Sequence, residues 1–190
     1  FIYEPLVVFN ELQGNKPVMR LATDYYMSDD LLKVTFEIRD GVKWSDGKAF
    51  TAEDVAFTFN MLKQYPELDR TGINQRLKSV KASGDKVTFN LTEANSNVPY
   101  LINEVSVVAK HIWSKIENPT RYTNENPVGT GPFTEIEKFT PQLYTQCRNP
   151  EYWDNSNLDV DCLRLPQVAG NDQFLGQVLS GQFDWTYSFI

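Results

Sequence analysis

An α/β fold is what this chain predicts, and three patterns carry the prediction. Val34, Phe36 and Ile38 alternate with Lys33, Thr35 and Glu37 as a strand would, and a capped helical pattern starting at Thr51 follows them. Residues 78 to 91 hold a hairpin pattern around Gly84 and Asp85. Between Glu125 and Asn155 a glycine-proline turn, a strand pattern and an aromatic-rich loop follow one another.

Taken in order, Ile2 to Phe9 reads as a first strand, rich in β-branched and aromatic residues. Gly14, Asn15 and Pro17 form a turn, and Val18 to Ala22 leads into an extended stretch. Leu32 to Ile38 is the next strand. Asp40, Gly41, Ser45, Asp46 and Gly47 supply turn chemistry around Trp44. Thr51 caps a helix with Asp54 three residues on, and Val55, Phe59 and Leu62 make its buried stripe. Val98 to Asn103 reads as helical, Glu104 to Val108 as a strand, and His111 to Lys115 as a short helix. The polar stretch Pro119 to Pro127 reads as loop.

Pro127 biases Asn126 towards extended geometry, Gly129 and Gly131 can take φ > 0, and Pro132 excludes a helix. Strands from Phe133 to Lys138 and from Gln142 to Arg148 follow, joined at Thr140 and Pro141. The alternation in the first of these is loose, so its assignment leans on the flanking turns. Asn171 or Asp172 then caps a helix through Leu175, Val178 and Leu179, which Gly181 ends. Phe183 to Phe189 reads as a closing strand.

Several function classes are disfavoured by composition. Lys+Arg number 18 against Asp+Glu 25, a net charge of −7, so no basic stripe invites nucleic acid. The longest apolar runs, such as Val105 to Ala109, are too short to cross a bilayer. A metal site needs more ligands than one histidine and two cysteines without a CxxC partner provide. His111, beside Ile112 and Trp113, suits packing or the surface. Asp40, Asp46 and Asp54 each have a turn or cap duty, which leaves no acidic pair and no Ser/His/Asp set for catalysis.

PVGTGPF, a hairpin and RNPEYW in succession resemble the extracellular solute-binding proteins of family 5, two-lobed receptors that feed ABC importers. FIYEPLVVFN, VTFEIRDGVKWSDGKAFTAEDVAFTFNML and LPQVAGNDQFLGQVLSGQFDWTYSF are similar to further blocks of that family, so the resemblance covers nearly the whole chain. It implies a periplasmic-binding-protein-like α/β fold of type II, of which this is an N-terminal fragment. Residues 1–10 and 129–190 would form part of the first ligand-binding lobe, and 11–128 an ancillary subdomain. The expected chain is an internal segment of a mature, exported, periplasmic protein, with leader and second lobe outside it.

In an exported protein, Cys147 and Cys162 read as a disulfide pinning the NPEYWDNSNLDVD loop; two reduced, buried thiols are the alternative. TEANSNVPY, FTPQLYTQCRNPEYWD and DCLRLPQ are similar in detail to the chitin-oligosaccharide-binding subgroup of vibrios. That implies a β-linked N-acetylglucosamine oligomer held in an inter-lobe cleft, an ABC permease in the inner membrane as partner, a monomeric receptor, and contact with a membrane sensor kinase for which no residue here argues. No cofactor is implied. Ligands of open α/β sheets sit beyond the carboxyl ends of strands, which points to Trp185, Tyr187, Ser188 and Phe189. Because alternation puts Phe183, Trp185 and Tyr187 on one face, only part of that set reaches ligand. An oligopeptide receptor of the same family is the second reading, and a glycan-degrading enzyme a remote one.

Overall fold

The computed structural model describes residues 1–168 and 170–185. Its centre is a four-stranded antiparallel sheet covered by one long helix. Strands β1 (Val7–Asn10) and β2 (Lys16–Met19) form a separate hairpin that precedes it. The hairpin turns through a short 3-10 segment at Glu11–Gln13, with Gly14 and Asn15 at φ of 69° and 60°. Pro17 sits inside β2 rather than in the turn, on a strand with a single partner, where its missing N–H costs no ladder bond.

The four-stranded sheet has the order β3 (Ala22–Met27), β4 (Lys33–Ile38), β6 (Lys86–Leu91), β5 (Leu77–Ser83). Val34, Phe36 and Ile38 point inward, as their alternation predicts, and Val80, Val87, Phe89 and Leu91 join them in the core. Gly84 turns β5 into β6 with a φ of 61°. Helix α1 (Ala52–Gln64) lies on this sheet, with Val55 and Phe59 fully buried and Phe59 meeting Phe89 edge to face at 4.7 Å between centroids.

Asp54 holds the start of α1 and more besides. Its Oδ2 accepts from the Thr51 amide at 2.9 Å and from the Thr51 hydroxyl at 3.2 Å, while Oδ1 accepts from the Lys110 amide at 2.9 Å. The capping carboxylate therefore also anchors the start of α3 (Lys110–Trp113). Helix α2 (Val98–Asn103) forms where expected.

Residues 104–108, predicted as a strand, belong to no sheet: Glu104 is still helical in backbone, at the end of the segment 98–103, and 105–108 have no regular structure. Their amides are taken by other partners: Val107 N–H donates to the Glu4 carbonyl and Val108 N–H to Thr58 Oγ1, each at 3.1 Å. The first strand is likewise shorter than its composition suggests. Residues 1 to 6 lie outside β1, because the carbonyls of Phe1 and Ile2 bond instead to the Phe133 and Gly131 amides.

A second, three-stranded sheet has the order β7 (Phe133–Thr140), β8 (Leu143–Arg148), β9 (Cys162–Pro166). Two register shifts in the β7–β8 ladder account for the loose alternation of β7. Cys147 and Cys162 are disulfide-bonded directly across β8 and β9. Helix α4 (Asn171–Leu179) starts from Gly170 at the N-cap position, not from Asn171 or Asp172, and Gly181 at φ 74° ends it as predicted. Leu175 and Leu179 are exposed, so its apolar stripe does not enter the core.

Replacing Asp54 by Ala strands the amides of Thr51 and Lys110 and should cost about 2 kcal/mol or more in urea-monitored unfolding. Reducing the Cys147–Cys162 pair, whose partners are 15 residues apart, should cost about 3 kcal/mol in the same assay.

Candidate functional site

The N-terminal run FIYEPLVVF contains one charged residue, Glu4, and the fold buries it to 4 % exposure. A buried carboxylate must find donors. Oε1 accepts from Arg20 Nε at 3.1 Å, from Arg20 Nη2 at 2.5 Å and from the Tyr152 hydroxyl at 3.4 Å, and Oε2 accepts from Trp153 Nε1 at 3.1 Å. Arg20 Nη2 also donates to the Tyr152 hydroxyl.

Trp153 is in turn covered by two cations. The guanidinium of Arg39 lies 4.2 Å, and that of Arg20 5.1 Å, from its ring centroid. Arg39 Nε donates to the Arg20 carbonyl at 2.7 Å, which holds both guanidinium groups near the ring.

The electrostatics describe a clamp, not a reactive centre. Burial holds the Glu4 carboxyl above its ordinary value, outweighing the Arg20 charge and the donors from Trp153, Arg20 and Tyr152, which act in the opposite direction. Burial lowers and the Glu4 charge raises the Arg20 guanidinium, with the pairing winning. Burial, then the Glu4 charge, pushes the Tyr152 phenol up to about 12. A phenol so high and a carboxylate with its lone pairs taken offer neither a base nor a nucleophile at neutral pH.

The same clamp closes a seam made of backbone. Gly131 N–H donates to the Ile2 carbonyl at 2.8 Å, and Ser45 N–H to the Gly129 carbonyl at 2.9 Å. Asn149, fully buried, donates from Nδ2 to the Gly131 carbonyl at 2.9 Å and accepts the Glu151 amide at 3.0 Å. Gly129 and Gly131 are not among the positive-φ glycines, contrary to the expectation from the PVGTGPF turn. They are glycine because a Cβ on either would overlap the backbone carbonyls of Ile2 or Phe1.

Of the predicted ligand residues, Trp185 is 66 % exposed and carries no fixed partner among the described residues. Tyr187, Ser188 and Phe189 lie outside the described residues. The strand expected from Phe183 is not formed at residues 183–185. After Gly181 the chain folds back on α4, where Gln182 and Phe183 N–H both reach the Gln177 carbonyl and Phe183 packs against Phe174 at 5.3 Å.

Among the described residues one group of three side chains could gather on a metal ion: Glu137, Cys147 and Cys162. Its sulfurs are spent in the disulfide. Sequence reasoning singled out the NPEYW block but not Glu4, Arg20 and Arg39. A lone carboxylate in an apolar run was the available signal.

A model of the bacterial extracellular solute-binding proteins, family 5, matches residues 16–190. The chain is 30 % identical over 161 residues to the uncharacterized protein y4wM of Sinorhizobium fredii, covering 80 % of this chain and 24 % of that protein. It is 28 % identical over 176 residues to the probable peptide-binding protein YejA of Agrobacterium fabrum, covering 88 % and 29 %. The chain thus spans under a third of these relatives' length. Among solved structures, a mannohexaose-bound periplasmic oligopeptide-binding protein of an ABC transporter from Thermotoga maritima superposes with a TM-score of 0.87 at 25 % identity, over 100 % of this chain and 36 % of that one. The oligopeptide-binding protein AppA of Bacillus subtilis, in complex with a nonapeptide, superposes with a TM-score of 0.82 at 24 % identity, over 95 % and 37 %. Neither the relatives nor the structures named are chitin-binding proteins of vibrios.

Glu4→Ala leaves the half-buried Arg20 guanidinium and Trp153 N–H without their acceptor and should lower stability by about 3 kcal/mol, measured by urea unfolding. Tyr152 gives an alkaline signature. With its folded pKa at about 12 above the ordinary 10.0, its contribution to stability is full below pH 10.0 and is lost as pH rises towards 12. An ultraviolet tyrosinate titration should show a component near pH 12 that Tyr152→Phe removes.

Proposed function

Because the chain belongs to the bacterial extracellular solute-binding proteins of family 5, we propose that it is part of a transport receptor. That receptor captures chitin oligosaccharides, oligomers of N-acetylglucosamine, in a cleft between two lobes. It then presents the closed form to an ABC permease of the inner membrane. In this reading it works in the periplasm as a monomer and leaves its ligand unchanged. No helix of the described residues is long and apolar enough to cross a membrane.

The assignment of parts follows from the same reading. Residues 1–10 and 129–190 contribute to the first ligand-binding lobe, and 11–128 form an ancillary subdomain beside it. The Glu4 clamp and the glycine seam then join the two. Ligand contacts fall to Trp185, Tyr187, Ser188 and Phe189, with aromatic faces stacking on pyranose rings and a hydroxyl giving direction.

The observation that carries the sugar reading is the detailed likeness of residues 92–100, 139–154 and 161–167 to the chitin-oligosaccharide-binding subgroup. Two further observations support it: Trp185 stands exposed on the lobe, and the Thermotoga protein holds mannohexaose on the same fold. The oligopeptide reading has its own support in the names of YejA and AppA and in the nonapeptide of the AppA complex.

Calorimetric titration of the full-length protein with chitobiose and, separately, with a mixed tripeptide pool discriminates the two. Heat from chitobiose with no product formed is the expected outcome, and heat from peptides alone would overturn the sugar reading. Trp185→Ala in the full-length protein should weaken sugar binding by about tenfold, the loss of one stacking contact.

A further inference from the structure

A cavity of about 290 Å³ opens between α1, the loop at residues 69–71 and the segment 104–108. Its floor is apolar: Met61, Leu62, Leu68 and Trp113 line it, with the first two buried. Its rim carries two opposite charges, Arg70 and Glu104. Among the described residues neither forms an ion pair, with the other or with any third group. Among the described residues, Glu104 has only a 3.4 Å hydrogen bond from Asn103, and Arg70 has no hydrogen-bond partner.

The neighbouring acid contrasts with them. Asp69 also lines the cavity, but its carboxylate is saturated by the amides of Thr71, Gly72 and Asn74 and by the Thr71 hydroxyl, at 2.7–3.1 Å. It serves the loop. Ser106 faces the same space exposed, with neither hydroxyl nor amide bonded among the described residues, because 104–108 pairs with no strand.

An apolar floor, a cation and an anion that form no ion pair among the described residues, and an N–H and O–H unused there form a complementary set around one small cavity. We propose that this cavity binds a free α-amino acid with a large apolar side chain. The side chain enters between Met61, Leu68 and Trp113. Arg70 and Ser106 receive the carboxylate, and Glu104 the ammonium. The volume, at the lower end of small-molecule sites, suits one residue rather than an oligomer. None of the residues that line it is among the proposed cleft contacts at 185–189, so the proposal adds a ligand position to that reading.

The test is calorimetric titration of the full-length protein with L-phenylalanine, N-acetyl-L-phenylalanine and phenethylamine, repeated on Arg70→Ala and Glu104→Gln. Both side chains are exposed and without an ion pair, so each variant should melt at the wild-type temperature. Phenylalanine should bind the wild type, and each variant should bind it about tenfold more weakly. Phenethylamine should lose affinity mainly through Arg70, so that Arg70→Ala no longer changes it, and N-acetylphenylalanine should behave likewise towards Glu104→Gln. Absence of phenylalanine binding, or binding that neither variant weakens, overturns the proposal. Binding elsewhere, in the main cleft for example, would give the second result.

Discussion

One buried carboxylate holds this structure in register. Glu4 binds partners 16, 148 and 149 residues away, so a single side chain ties the N-terminal segment to the entry of β3 and to the loop after β8. Such a group is stabilising only while every donor stays in place, because taking a carboxylate out of water costs several kcal/mol that the pairing must offset. That makes the surrounding geometry strict. Arg20, Arg39, Tyr152 and Trp153 are each fixed by at least two contacts, and Trp153 is fixed from above by cations as well as from its N–H.

The backbone seam beside the clamp obeys the same logic at the level of main-chain atoms. Residues 1–2 pass so close to Gly129 and Gly131 that no side chain fits, and Asn149 and Ser45 satisfy the carbonyls left over. The PVGTGPF and RNPEYW blocks are thus two halves of one joint, separated by the β7–β8 hairpin. Packing and polar satisfaction account for the residues of this joint, without a ligand being needed.

Legibility differed by element, and the differences have physical causes. The strand at 33–38, the helix from Ala52 and the hairpin around Gly84 were readable because local period, cap and turn residues agree with what the core requires. Residues 104–108 read as a strand by composition, yet their amides found a carbonyl and a hydroxyl in other segments. Phe183 to Phe189 read as a strand, but over its described residues, 183–185, the left-handed Gly181 turns the chain back onto α4. Of the expected ligand contacts, Trp185 is exposed, and Tyr187, Ser188 and Phe189 lie outside the described residues.

The chain's own order of residues determined its α/β class, most element positions, the turn and cap duties of its acids and, through four blocks, its family. Those are properties of local period and of motifs contiguous in sequence. Tertiary structure alone decided that Glu4 is the hub, that Gly129 and Gly131 serve close approach and not a left-handed turn, and that Arg70 and Glu104 face one cavity unpaired. Each depends on groups brought together from distant segments. Local sequence patterns cannot report such proximity, because burial and pairing arise only when the chain has closed on itself.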